Sequence, residues 1–381
     1  MTQGPLHGVK VLELGVWVAG PAATGLMADW GATVVKVEPP TGDPQRAVFG
    51  ALGVADQAGV PPFEIDNRGK KSVVLDLRTD DGLATMHRLL AEADVFVSNV
   101  RPAALRRMGL DPGSLSSRYP RLVYGLLTGY GSSGPDVDRA GYDVGAFWAR
   151  SGLAHTLVPP GENPPSVRSG QGDHTTGLSM CAGVMAALFD RERTGKGRVV
   201  ETSLLRTGIY TIGWDVGVQL RFGKRQSTRP RHRSLAPQIL NYSCGDGRAF
   251  WLLGLEGDRH WPGLLTAIGR EDLASDPRFV DARTRAENSE DLIAELDAHF
   301  ATQSFAHWTS RFDEHDVWWA PLNSIPEAIE DAQVIAAGSF VDMTPQPGEA
   351  PYRAVNSPVD FSGYEPTYGP VPRLGEHTPE W

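Results

Sequence analysis

Gly172-Asp173-His174-Thr175-Thr176-Gly177 runs directly into Leu178-Ser179-Met180-Cys181-Ala182-Gly183-Val184-Met185-Ala186-Ala187-Leu188-Phe189, a stretch that reads as a helix. An aspartate at such a start meets unpaired N–H groups and the positive end of the helix dipole, so Asp173 is expected to be an N-cap, ionised at neutral pH. A fixed, ionised carboxylate is a nucleophile toward acyl groups. Aspartate is also among the commonest helix caps, so position alone leaves a purely structural role open. His174, the next residue, is read as a first-turn side chain pointing away from its neighbour.

A second place for chemistry is the turn Gly15-Val16-Trp17-Val18-Ala19-Gly20-Pro21, between a strand and a helix. A helix N-terminus at the end of a parallel strand is an anion site, and Glu38, at the end of the next strand, stands where an acid would hold a ribose. The dinucleotide fingerprint G-x-G-x-x-G is absent, because Gly15 and Gly20 are five residues apart with Trp17 between them. That disfavours an NAD dehydrogenase and leaves another nucleotide-bearing ligand possible. Arg78, Arg101, Arg106 and Arg107 follow other expected strand ends, where they either meet an anionic ligand or lie solvated on helix faces.

The elements that would hold these residues alternate. Residues 9–14, 32–37, 72–77, 95–99 and 122–127 read as strands, and 21–30, 80–93 and 102–108 as helices, a pattern that predicts an open, doubly wound, Rossmann-like parallel α/β sheet. A long helix is expected from 201 to about 220, followed by the basic run Arg221, Lys224, Arg225, Arg229, Arg231, His232 and Arg233. That run reads either as a contact for a carboxylate or phosphate or as an exposed linker. A smaller α+β domain follows, with a strand at 249–255, and then a Pro/Gly-rich tail with one helix at 326–335. The expected boundaries are 1–224 for the large domain, 225–318 for the small one and 319–381 for a tail that needs a surface to lie on.

The chain has 381 residues, 41% hydrophobic and 22% charged, with a net charge of −10. The acidic balance argues against a nucleic-acid binder, which needs a basic face. No apolar run approaches a membrane span and the start lacks a secretory pattern, so a soluble cytoplasmic protein is expected. Cys181 and Cys244 form no redox or ligand spacing, the ten histidines include no metal-binding pair, and no metal is expected.

Taken together, Leu12-Glu13-Leu14 to Ala19-Gly20-Pro21, Gly31-Ala32-Thr33-Val34-Val35-Lys36-Val37-Glu38-Pro39-Pro40 with Gly42-Asp43-Pro44, and Asn99-Val100-Arg101-Pro102 to Met108-Gly109 form an ordered set. Gly172-Asp173, Thr194-Gly195-Lys196-Gly197-Arg198-Val199-Val200 and Leu374-Gly375-Glu376-His377-Thr378 extend it. In order and spacing this set resembles the class III CoA-transferases, the family that also contains the α-methylacyl-CoA racemases, over nearly the whole chain. The resemblance implies two ring-like chains threaded through each other as an interlocked homodimer, with the tail returning to the large domain. It makes Asp173 the match to the family's catalytic aspartate and coenzyme A the bound cofactor. CoA would lie along Trp17, Val18 and Ala19, lined by Leu75, Arg78, Asn99, Val100, Arg107, Met108, Tyr142, Asp143 and Leu204.

The implied chemistry is transfer of CoA from an acyl-CoA to a carboxylic acid through an aspartyl mixed anhydride and an aspartyl-CoA thioester, with backbone N–H groups of the glycine loops or of the Asp173 helix start holding the oxyanions. The alternative is racemase-like α-proton chemistry by a His/Asp pair. Here Gly141-Tyr142-Asp143 stands where racemases carry Gly-His-Asp, and tyrosine is a poor replacement for histidine as a base. A non-catalytic CoA-binding scaffold is the third reading. Trp17 and Val18, the latter standing where formyl-CoA transferases carry a glutamine, point to a larger or less polar acyl group. The arginines at 225–233 replace those enzymes' glycine-rich loop, which argues against oxalate or formate.

Overall fold

The computed structural model describes residues 3–53, 59–223, 228–343, 346 and 350–381. Met1–Leu157, Pro164–Arg225 and Gly338–Trp381 form one unit, and Val158–Asn163 with Gln226–Ala337 form another.

In the larger unit the β-branched runs become β1 (Lys10–Leu14), β2 (Thr33–Glu38), β3 (Lys71–Val74), β4 (Val95–Ser98), β5 (Val123–Thr128) and β6 (Val199–Ser203). They form one sheet in the order β3-β2-β1-β4-β5-β6, every pair parallel. The order reverses between β1 and β4, and in open sheets of this kind the crevice outside the strand ends at the reversal is where ligands bind. Strands β1, β2, β4 and β5 are buried on both faces, as the inside of a parallel sheet must be, while the edge strand β6 is partly exposed. Val11, Val34, Val97 and Val123 pack under α1 (Ala19–Asp29) and α5 (Gln171–Thr194), through Ala23, Met27, Met180 and Val184. Leu12, Val35, Phe96 and Tyr124 face the other way, toward Met86, Leu89 and Leu90 of α3 (Asp80–Glu92) and Leu105 of α4 (Pro102–Met108). Between β2 and β3 lies α2 (Pro61–Asn67).

The single helix expected over 201–220 is instead the end of β6, then α6 (Leu204–Thr211) and α7 (Gly213–Phe222). Val199-Val200-Glu201-Thr202 favours extended backbone. Ser203 caps α6 by accepting from the Arg206 N–H at 3.1 Å, and Ile212, at φ −101° and ψ 28°, breaks the run before α7. Lys224 and Arg225 of the basic run, and the expected boundary between them, lie outside the described residues.

In the smaller unit β7 (Asn241–Ser243), β8 (Ala249–Leu252) and β9 (Trp319–Pro321) form an antiparallel sheet. It is covered by α8 (Gly257–Ile268), α9 (Ser289–Phe300) and α10 (Phe305–Glu314), around Phe250, which meets Phe300 and Phe312 edge-on with ring centroids 4.9 Å apart. Strand β9 completes this sheet beyond residue 318, and the unit runs on to Ala337. The helix expected at 326–335 is two, Ile325–Glu330 and Ala332–Ala336. Asp331 separates them, its carboxylate accepting from the N–H groups of Gln333 and Val334. Arg231 is bonded to Asp297 (2.7 and 2.8 Å) and Arg233 to Glu290 (2.6 Å), so these two basic residues serve the smaller unit's own structure.

The final residues lie on the larger unit. The Gly375 N–H donates to Ser72 Oγ and that of His377 to the Ser72 carbonyl, both at 3.0 Å, while the Trp381 indole N–H reaches the Leu89 carbonyl at 3.2 Å.

Candidate active site

The loop after β1 is held from every side by side chains. The Val16 N–H donates to Asn99 Oδ1 (3.0 Å) while Asn99 Nδ2 donates back to the Val16 carbonyl (2.7 Å). The Trp17 N–H donates to Asp43 Oδ1 (3.0 Å), and Trp17 sits at φ +62°, a strained setting for a non-glycine residue that persists only when its surroundings fix it. Beneath the loop, buried Lys36 donates to the Gly15 carbonyl (3.0 Å) and Lys70 to that of Pro21 (2.9 Å). One fully buried carboxylate, Glu13, joins them, with Lys36 and Lys70 each 2.7 Å from one of its oxygens. Burial works against ionisation of Glu13, but the two ammonium groups outweigh it and hold the carboxyl at about 2. Sequence reasoning gave Glu13, Lys36, Asp43 and Lys70 no role. The available signal was a charge embedded in an apolar strand, Val-Leu-Glu-Leu and Val-Val-Lys-Val.

These bonds also correct the reading of Glu38. Its carboxylate is buried and taken up by Arg46 (2.7 and 2.8 Å), Ser72 Oγ (2.6 Å) and the Asp43 N–H (3.0 Å), so it holds no ribose.

Opposite the loop, α5 begins with Gly170 as its N-cap residue, which puts Asp173 at the third helical position and not at the cap. Asp143 closes this helix start, its Oδ2 accepting the Gly170 N–H at 2.7 Å. A Cβ on Gly172 would lie 2.2 Å from the Phe147 ring and 2.3 Å from Asp143 Oδ1, so only glycine fits there. The Gly170 N–H is taken by Asp143.

No hydrogen-bond donor among the described residues reaches the partly buried Asp173 carboxyl. Burial pushes it up to about 7, the charge of Asp143 adds to the rise, His174 opposes it, and Asp66 raises it further. The expectation of a fully ionised Asp173 is corrected on this ground, because desolvation and a like charge override the helix dipole. His174 Nε2 stands 3.0 Å from Oδ1 of buried Asp66. Burial alone would lower the imidazole's affinity for its proton, but the bond to Asp66 and the surrounding acids outweigh it and raise it above its ordinary value.

The other expected site residues divide into a rim and a floor. The Trp17 and Tyr142 rings meet edge-on, 6.0 Å apart at 88°, with Tyr142 exposed, while Val18 and Ala19 open α1. The Ala19 carbonyl lies 3.0 Å from where a Cβ on Gly177 would stand, one turn along α5 from Asp173, which sets the loop beside it. Arg107 is exposed, and like Arg101 it has no ion-pair partner among the described residues. Arg78 is exposed but gripped by Asp76 at 2.8 Å, and Arg106 pairs with Asp138 at 3.2 Å. Leu75 is buried, and Val100 and Met108 pack against the same core. Leu204 is buried in the core beside Phe147, and Asp143 is occupied by the helix start. No group of three or more metal-ligating side chains occurs among the described residues, and none of the described helices is long and apolar enough to cross a membrane.

The model of "CoA-transferase family III" matches residues 6–378. The chain is 32% identical over 378 residues to the (R)-2-hydroxy-4-methylpentanoate CoA-transferase of Clostridioides difficile, covering 98% of this chain and 94% of that protein. It is 34% identical over 379 residues to the cinnamoyl-CoA:phenyllactate CoA-transferase of Clostridium sporogenes, covering 98% and 91%. A crystal structure of a CAIB/BAIF family protein from Brucella suis superposes with a TM-score of 0.85 at 30% identity, covering 99% and 98% of the two chains. The chain belongs to CoA-transferase family III and is an enzyme of that type, acting between acyl-CoA and carboxylate.

Proposed function

We propose that this CoA-transferase works through Asp173 and passes CoA between acids with an apolar body. The supporting observation is Asp173 itself, a carboxyl at a helix start, beside the Trp17–Val18–Ala19 loop, partly desolvated and without a hydrogen-bond donor among the described residues. A carboxylate so placed is more basic and less solvated than one in water, hence a better nucleophile once ionised.

Asp173 attacks the thioester carbonyl, the C–S bond breaks, and a mixed anhydride and CoA thiolate form. The thiolate attacks the aspartyl carbonyl, releasing the donor acid and leaving aspartyl-CoA. The acceptor carboxylate then attacks this thioester, giving a second anhydride and thiolate. Attack of that thiolate on the acceptor carbonyl gives the new acyl-CoA and restores Asp173. The bond energy of the thioester is kept in the covalent intermediates, so no nucleotide is consumed.

CoA would lie along the loop between the Trp17–Tyr142 rim and Asn99, over Leu75, Val100, Met108 and Leu204, with Arg101 and Arg107 meeting phosphates and Arg78 contributing only by releasing Asp76. Asp143 would stand behind the nucleophile. The apolar Trp17 and Val18 favour an acid with an apolar body. Relatives named for 2-hydroxy-4-methylpentanoate and phenyllactate make 2-hydroxy acids with apolar side chains the first to try. An interlocked homodimer is proposed from the family resemblance and from apolar side chains exposed on α6 and α7.

The test is Asp173→Asn in an assay of CoA exchange between acyl-CoA and a panel of acids, read by mass. Turnover is expected to fall by about 10³-fold or more. Exchange that persists in the variant would contradict the role of Asp173, and deuterium wash-in at the α-carbon of a 2-methylacyl-CoA without any acceptor would count for the racemase-like alternative.

A further inference from the structure

Asp173 stands between fixed neighbours of opposite effect. From the segment before Phe147 comes Asp143, tied to Gly170 at 2.7 Å, and from its own helix comes His174, whose ring is tied to Asp66 of α2 at 3.0 Å. Asp66 is 2% exposed, and its second oxygen, Oδ2, is buried with no hydrogen-bond partner. With His174 it lines a cavity of about 250 Å³ whose walls include Ala22, Leu26, Ile65 and Leu178. A carboxylate in such a place is costly unless a cation meets it. Lys70 acts on it at longer range, but the Lys70 ammonium is already bonded to Glu13, Asn67 and the Pro21 carbonyl. The Asp29–Arg68 pair, which lines the same cavity, is closed on itself at 2.7 Å. His174, charged only when protonated, is thus the basic side chain that directly faces Asp66, whose own carboxyl is raised by burial against the opposing pull of His174 and Lys70.

The position of Asp66 is fixed by packing. A Cβ on Gly25 of α1 would fall 2.7 Å from the Asp66 carbonyl oxygen, so the two helices meet backbone to backbone. His174 is equally constrained, its N–H bonded to the Gly170 carbonyl at 2.8 Å in the first turn of α5. Asp173 and His174 adjoin in the first turn of α5, whose start is held by the Asp143–Gly170 bond.

We propose that Asp66 and His174 are positioning residues for the transfer reaction: the buried Asp66 carboxylate keeps His174 as an imidazolium beside Asp173, and that cation keeps enough of Asp173 ionised to attack at neutral pH. This rests on Asp173 being the nucleophile. The charged groups facing Asp173 are Asp143, Asp66 and His174; those facing His174 are Asp66, Asp173 and Asp143; those facing Asp66 are His174, Lys70 and Glu13. Of these only His174 favours the Asp173 carboxylate, so its loss is not compensated locally.

The experiment is the pH dependence of kcat/KM for acyl-enzyme formation in the full-length protein and in Asp66→Asn, His174→Gln and Asp173→Asn. In Asp66→Asn the acid limb is expected to move up by less than one pH unit, because this change also removes a negative charge that raises Asp173, and in His174→Gln by about one. Activity at pH 6.5 then falls about tenfold in His174→Gln and less in Asp66→Asn, while at pH 9 both stay within about twofold of the parent. A limb that does not move, or a loss equal at every pH, overturns the proposal, the second being the signature of a merely structural role. Should His174→Gln fail to fold, Asp66→Asn, which keeps the imidazole in place, decides the matter alone. Asp173→Asn separates the two readings: if it still turns over, the nucleophile assignment fails, whereas a dead Asp173→Asn with unmoved limbs in the other two removes only the role of the pair.

Discussion

At the scale of single residues, the reaction depends on a carboxyl whose environment pulls in two directions. Burial and Asp143 raise Asp173 to about 7, so the attacking carboxylate is gained as pH rises through the neutral range. The sign follows: activity should rise with pH through about 7 and level off above it, checked by the pH profile of single-turnover acylation, and a limb near 4 would contradict the account. The identity of the nucleophile was legible because Gly172-Asp173 opens a strongly patterned helix and matches a family motif. Its ionisation was not, because the acids that perturb it, Asp143 and Asp66, are 30 and 107 residues away in sequence and are brought near only by the fold. For the same reason the partner of His174 could not be read.

At the scale of elements, two devices hold the site. The first is the start of α5, where Gly172 lets Asp143 and Phe147 approach the helix. Gly172→Ala is expected to cost about 1–3 kcal/mol of stability, measured by denaturant unfolding. Displacement of Asp173 by about 1 Å should lower kcat/KM by about 10²-fold. The second is the Glu13–Lys36–Lys70 cluster under the loop after β1. Glu13→Gln leaves two buried ammonium groups without this carboxylate and should cost about 3–5 kcal/mol. Glu13 is held at about 2 against 4.5 when unfolded, so its contribution is complete above pH 4.5 and is lost as pH falls from there toward 2, which an acid unfolding curve would show. The β1 to β5 strands were legible because Val-rich runs alternate with helical patterns. The break at Ile212 was not, because a continuous apolar stretch has the same pattern whether it forms one helix or a strand end and two helices. Strand β9 was missed because three residues, Trp319–Pro321, carry no periodicity of their own.

At the scale of the whole molecule, the larger unit is a Rossmann-like sheet whose reversal point carries the loop after β1, and a tail that lies along β3. Alternation of strands and helices dictated that sheet, whereas the path of the tail depends on single bonds to Ser72 and Leu89 that no pattern announces. Tyr210, Trp214 and Leu220 of α6 and α7 are each more than 80% exposed in the single chain, an apolar surface of the kind that marks an interface. Light scattering after gel filtration should give twice the chain mass, and Trp214→Glu should shift the species toward the monomer. A monomeric parent protein would contradict the proposed dimer.

The account turns on Asp173 carrying the acyl group. Incubating the enzyme with acyl-CoA, trapping with hydroxylamine or borohydride and sequencing the peptides by mass spectrometry tests this most directly. Modification is expected at Asp173, and turnover with Asp173 unmodified would contradict it.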